Sequence, residues 1–179
     1  MHLGERTIRS TRVYDGRLVA LRVDEVELPS GKTAVREIVE HRGAVAIIPL
    51  LPSGDVVLVR QYRAPAGRRL LEIPAGTIEP GEPVAACASR ELAEEVGLRA
   101  ERWQPLGAIL PSPGFLTEVV HLFLAEDLSP HPVDAEEEEM EVVAVPLDEA
   151  VDLVTRGEIC DAKSVAGILL ASRYLESSR

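Results

Sequence analysis

From Thr11 to Leu28 apolar residues alternate loosely with polar ones (Val13, Leu18, Leu21, Val23, Val26, Leu28), a period that predicts two strands. Pro29-Ser30-Gly31-Lys32 reads as a hairpin turn, and Ala34 to Glu40 as the returning strand. Gly43 to Leu51 is apolar without interruption, the pattern of a strand buried on both faces. After the turn Pro52-Ser53-Gly54-Asp55 comes another strand, Val56 to Tyr62. Pro83 to Val96 reads as a helix: proline suits a first turn, alanine and glutamate favour the interior, and Gly97 suits the stop. Strands are predicted at Trp103 to Leu110, Val119 to Ala125 and Val142 to Pro146. Helices are predicted from Leu147 to Arg156, ended by Gly157, and from about Ala162 onward. A mostly β centre with helices on its faces is an α/β sandwich. Residues 1–40 form a short N-terminal β unit in this reading, packed separately or against a partner chain, and residues 41–179 form the main domain.

Composition narrows the function. The chain has 179 residues, 46% of them hydrophobic but only 3% aromatic, so the core must be aliphatic. The formal net charge is −11 with a pI near 4.9, which argues against a nucleic-acid surface. A small phosphorylated ligand stays open, because a few arginines or a divalent metal can supply local positive charge. Cys87 and Cys160 have no CxxC or metal-ligand spacing and read as buried free thiols. The N-terminus lacks an apolar signal core, and no apolar run approaches the roughly 20 residues of a membrane span. A cytoplasmic enzyme or binding protein, with neither nucleic acid nor membrane as partner, is the expectation.

The chemistry concentrates between Gly76 and Leu98. Gly76 is followed by Glu82, then by Arg90, Glu91, Leu92, Glu94, Glu95, Gly97 and Leu98. On the predicted helix Glu91 and Glu95 lie one turn apart on one stripe, with Glu94 beside them. Like charges at that spacing repel, so the carboxylates call for a cation, and hard oxygen ligands select Mg²⁺ or Mn²⁺. Ala85, Leu92 and Val96 form the neighbouring stripe expected to dock on the sheet. The loop Ile73 to Gly81, rich in Gly and Pro, lets backbone carbonyls approach a metal closely. Taken alone, the three glutamates read equally well as a solvated acidic face; the flanking glycines and Glu82 favour the metal site.

This spacing resembles the Nudix box at every one of those positions. The resemblance implies a Nudix α/β/α sandwich with a mixed sheet, and hydrolysis of a nucleoside diphosphate linked to another group. It implies Glu91 and Glu95 as leading metal ligands, the Ala75 carbonyl as a further one, Glu94 as a nearby catalytic candidate, and Arg90 and Glu82 as groups that orient the ligands. Arg60-Gln61-Tyr62-Arg63, Leu71 to Gly76, Arg36 to His41 and Pro111 to Phe115 are similar to the ADP-ribose pyrophosphatases, as is Pro113, sixteen residues after Gly97. That likeness implies Mg²⁺-dependent cleavage of ADP-ribose to AMP and ribose 5-phosphate by a homodimer that exchanges N-terminal β segments. Arg36 and Arg63 would contact the substrate, as arginine pairs well with phosphate oxygens, or serve as ion-pair partners. Glu72 would reach the adenine or a neighbouring arginine, and Phe115 would line the pocket. In the acidic run Asp134 to Glu141, the family pattern aligns Glu136 with the catalytic base and Glu138 with a metal contact, Glu137 and Glu139 being alternatives. His41, His121 and His131 share no spacing with each other or with an obvious carboxylate, and Trp103 reads as core. Two rival readings are a pyrophosphatase for other nucleoside diphosphate sugars and a non-catalytic nucleotide sensor. The intact set of glutamates counts against the sensor.

Overall fold

The computed structural model describes residues 4–131 and 140–178. They divide into two compact units.

The first unit takes the chain up to Gly43 together with Leu110–Val119. Strands β1 (Arg6–Asp15), β2 (Ala20–Glu27) and β3 (Thr33–Glu40) form an antiparallel sheet in that order. The predicted hairpin closes where the Leu28 N–H donates to the Lys32 carbonyl at 2.8 Å. β1 begins earlier than Thr11 because its first half, rich in arginine and threonine, carries no apolar alternation and is instead held by cross-strand pairing, including Arg6–Glu27 at 2.7 Å. The return segment attaches to β3: the Val39 N–H donates to Phe115 O at 2.8 Å, and Thr117 N–H donates to Val39 O at 3.0 Å. His41, which shares no sequence spacing with an obvious carboxylate, lies 3.4 Å from Glu118.

The second unit contains β4 (Ala44–Pro49), β5 (Asp55–Arg63), β6 (Arg68–Glu72), β7 (Ala75–Thr77), α1 (Val84–Val96), β8 (Leu98–Ile109), β9 (Val120–Pro130), β10 (Glu141–Pro146), α2 (Leu147–Thr155) and α3 (Ala162–Ser177). One sheet has the order β7-β4-β9-β8 and is mixed, since β4 runs parallel to β9. The other is the antiparallel trio β10-β5-β6. β4 shows why its sequence has no polar alternation. Ala44, Ala46 and Ile48 face a core shared with Leu153 of α2 and Ile168 of α3, while Val45 and Ile47 face one shared with Cys87, Ala88 and Leu92 of α1. Helices therefore cover both sides of the strand, which is the expected α/β/α sandwich. Burying a side chain such as Leu92 contributes about 2 kcal/mol.

Some expectations change. Part of the predicted loop Ile73 to Gly81 is a strand, β7, whose residues pair with β4. Ala85 is exposed; Val84 and Cys87 take its place in the docking face, since the first turn rotates Ala85 to solvent. Cys160 is exposed in the α2–α3 connection, whereas Cys87 is buried as expected. No helix among the described residues is long and apolar enough to cross a membrane.

Candidate active site

Helix α1 positions the carboxylates. It starts after Pro83 and stops at Gly97, whose φ of 65° is the left-handed conformation that glycine adopts without steric cost. Docking of Cys87, Ala88 and Leu92 on β4 and β9 fixes the rotation of the helix. Glu91 is thereby buried at the margin of the contact, Glu95 is half-buried and Glu94 is exposed.

Arg90 ties the acidic groups together. Its Nε and Nη2 donate to the two Glu82 oxygens at 2.9 and 3.0 Å, and its Nη1 donates to Glu91 at 2.7 Å and Glu94 at 2.9 Å. Glu82 also accepts the Glu79 N–H at 2.9 Å. The Arg90 hydrogen bond, with that backbone bond, holds the Glu82 carboxyl down at about 2. The same carboxylates push the Arg90 guanidinium further toward its charged form. Glu91 goes the other way: burial raises its carboxyl, with Glu94 and Glu82 adding to it, and Arg90 offsets only part. These bonds link Arg90 to Glu91, one of the metal-ligand candidates, and link Glu82 to Arg90. Burial and the neighbouring Glu82 push the Cys87 thiol up to about 12, toward its protonated form.

Strand β7 supplies the opposite wall. The Ala75 N–H donates to Glu95 at 2.8 Å. At Gly76 a Cβ would fall on the Glu91 carboxyl group, so the carboxylate lies directly against the backbone of β7. Among the described residues no set of three or more acidic, His or Cys side chains converges as a ready-made metal cage. The donors present nevertheless suit a hard divalent cation: carboxylate oxygens from adjacent helical turns beside a strand backbone with no side chain in the way. Burial is the main reason the Glu91 carboxyl is raised, and a divalent cation beside it would lower it again.

A second cluster lies at the end of β5. Arg63 forms a fork on Glu72, with Nε to Oε1 at 3.0 Å and Nη2 to Oε2 at 2.8 Å. The Glu72 side chain is 1% exposed. Lys163 reaches the same Oε2 at 2.6 Å and Asp161 at 2.7 Å. Burial pushes the Glu72 carboxyl up, but Arg63 and Lys163 together outweigh it, and the net direction is down. Asp161 caps α3 by accepting the Ser164 N–H, and Ser164 Oγ accepts the Ile73 N–H at 2.9 Å. Of the two partners foreseen for Glu72, the structure shows the neighbouring arginine. Lys163, Asp161 and Ser164 were not foreseen. Their only signal is the helix-start pattern Asp161-Ala162-Lys163-Ser164, which reveals a cap but not its neighbours.

The remaining candidates lie elsewhere. Arg36, on β3, pairs with Glu5, and Phe115 is exposed in the return segment; both belong to the first unit. Glu136 and Glu138 lie outside the described residues, as do Glu137 and Glu139.

Comparison with known proteins bears on this arrangement. The family described as NUDIX domain matches residues 40–167, and the nucleoside diphosphate sugar hydrolase N-terminal domain matches residues 5–39. The chain is 43% identical over 170 residues to the ADP-ribose pyrophosphatase of Bacillus subtilis (strain 168), covering 93% of this chain and 91% of that one. It is 41% identical over 175 residues to the methanol dehydrogenase activator of Bacillus methanolicus, covering 96% and 92%. A crystal structure of an ADP compounds hydrolase superposes with a TM-score of 0.86 at 27% identity, over 97% of this chain and 95% of that one.

Proposed function

Because this chain belongs to the Nudix family, we propose that it hydrolyses the pyrophosphate bond of ADP-ribose, releasing AMP and ribose 5-phosphate. The observation that carries the reading is the Glu91 carboxylate set against the Gly76 backbone, one helical turn from Glu95 and its bond to Ala75. Likeness to the Bacillus subtilis enzyme over nearly the whole of both chains supports the choice of substrate.

In this reading Glu91, Glu95, the Ala75 carbonyl and Glu138 hold Mg²⁺, with Mn²⁺ as a substitute. A cation held there would supply charge neutralisation at the pyrophosphate and lower the pKa of water. Arg90 keeps Glu91 and Glu94 in place and Glu82 keeps Arg90 in place, so the carboxylates stay oriented. Glu136 takes the proton from water, with Glu94 as the second catalytic carboxylate. Arg63, its Nε and Nη2 held by Glu72, offers positive charge to a phosphate. Arg36 and Phe115 complete substrate recognition. The protein works as a homodimer through its N-terminal β unit. Support comes from the match to a named N-terminal domain and from Ile8, Val13 and Tyr14, apolar side chains left exposed along β1. Cys87 and Cys160, both free thiols, fit a reducing cytoplasm.

Chromatography of the products from ADP-ribose in Mg²⁺ tests the reaction. AMP with ribose 5-phosphate is the expected pair. ADP with free ribose would show cleavage of a different bond and overturn the reading.

A further inference from the structure

Glu72 is a nearly fully buried carboxylate with two cations on it, and the two share one oxygen. Oε2 accepts from Arg63 Nη2 at 2.8 Å and from Lys163 Nζ at 2.6 Å. Lys163 is itself divided, since Asp161 Oδ1 accepts from it at 2.7 Å. The side chains of Lys163 and Asp161 are 16% and 17% exposed, so the cluster is largely withdrawn from water and its charges act strongly on one another. Two carboxylates and two cations leave it neutral overall.

That balance decides how firmly Arg63 is held. A buried carboxylate satisfied by one guanidinium draws on it fully. When an ammonium takes the same oxygen, the pull on the guanidinium falls and more of its charge is left for another acceptor. Asp161 works against this by taking part of the lysine's charge. The arginine side chain is 40% exposed, so an outside anion can reach it.

We propose that Lys163 is a positioning residue that weakens the hold of Glu72 on Arg63 and thereby sets the affinity of Arg63 for the diphosphate of the substrate. The inference rests on the reading of Arg63 as a phosphate-binding group. It assigns to the first turn of α3 a part in substrate affinity beyond its capping of the helix and its Ser164 bond to Ile73.

The test is calorimetric binding of ADP-ribose in EDTA, where turnover does not interfere, with the melting temperature of every variant recorded. Lys163→Met should weaken binding about tenfold, the worth of one charge-assisted hydrogen bond, while Lys163→Arg keeps it within about threefold. Asp161→Asn retains the cap and frees the lysine, so it should tighten binding by about twofold. In an Arg63→Gln background Lys163→Met should have almost no further effect, because the group it acts through is gone. A purely structural role predicts instead that both variants melt earlier and neither changes affinity selectively. Equal affinities for wild type and Lys163→Met would overturn the inference. So would the same loss in the Arg63→Gln background, or a weakening by Asp161→Asn. Should Lys163→Met fail to fold, Lys163→Gln and Asp161→Asn carry the comparison. No binding by folded wild type would remove the ADP-ribose reading, and the inference with it, whereas binding by wild type with no effect of Lys163 removes the inference alone.

Discussion

The carboxyl group of Glu91 occupies the space in which any side chain at Gly76 would begin, which makes the glycine and the glutamate a single feature of the site. Gly76→Ala should leave the fold intact, because the obstructed atoms are the far end of a flexible side chain rather than backbone. The displaced Glu91 should cost about a hundredfold in kcat/KM, as a shift of an ångström at a metal-holding group commonly does. Circular dichroism and steady-state rates on ADP-ribose check both halves. An alanine variant with wild-type rates would separate Glu91 from the chemistry.

Burial raises the Glu91 carboxyl, so its charge is held at a cost to the fold. Glu91→Gln keeps an oxygen for Arg90 and removes the charge. In EDTA the variant should melt about 2–4 °C higher than wild type. Added Mg²⁺ should stabilise wild type and leave the variant nearly unchanged. A variant that melts lower in EDTA would contradict the idea that function, not stability, keeps this carboxylate.

Glu82 is held at about 2, below its ordinary 4.5, chiefly by Arg90. The sign follows from linkage: the contribution is fully present above 4.5 and fades as pH falls toward 2. Urea midpoints taken across that interval should fall more steeply for wild type than for Glu82→Gln. Parallel slopes would mean the Arg90–Glu82 pair does not survive in solution.

Much of the fold is legible in the chain because single elements carry their own signals. β4 is an unbroken apolar run because helices cover both of its sides, and α1 is framed by Pro83 and Gly97. The first half of β1, with β6 and β7, escapes notice for physical reasons. β1 begins with charged residues that pair across strands, β6 opens on Arg68 and Arg69, and β7 is three residues held only by its neighbour β4. Glu91 and Glu95 are legible as a pair because they share one helix. The Glu72 cluster is only half legible: Arg63 lies nine residues from Glu72, but Lys163 lies ninety-one away and meets it only through the packing of α3.

Glu136 is assigned as base by alignment of the acidic run alone. Glu136→Gln should lower kcat by about a hundredfold or more and change the dissociation constant for ADP-ribose little, since general-base help is worth about that much. A loss confined to binding would move the base to another carboxylate.

Initial rates on ADP-ribose, GDP-mannose, a dinucleoside polyphosphate and coenzyme A, each in Mg²⁺ and in EDTA, address the account at its centre. Cation-dependent hydrolysis of ADP-ribose well ahead of the other three is the predicted result. Equal rates on all four, or turnover that persists in EDTA, would contradict it.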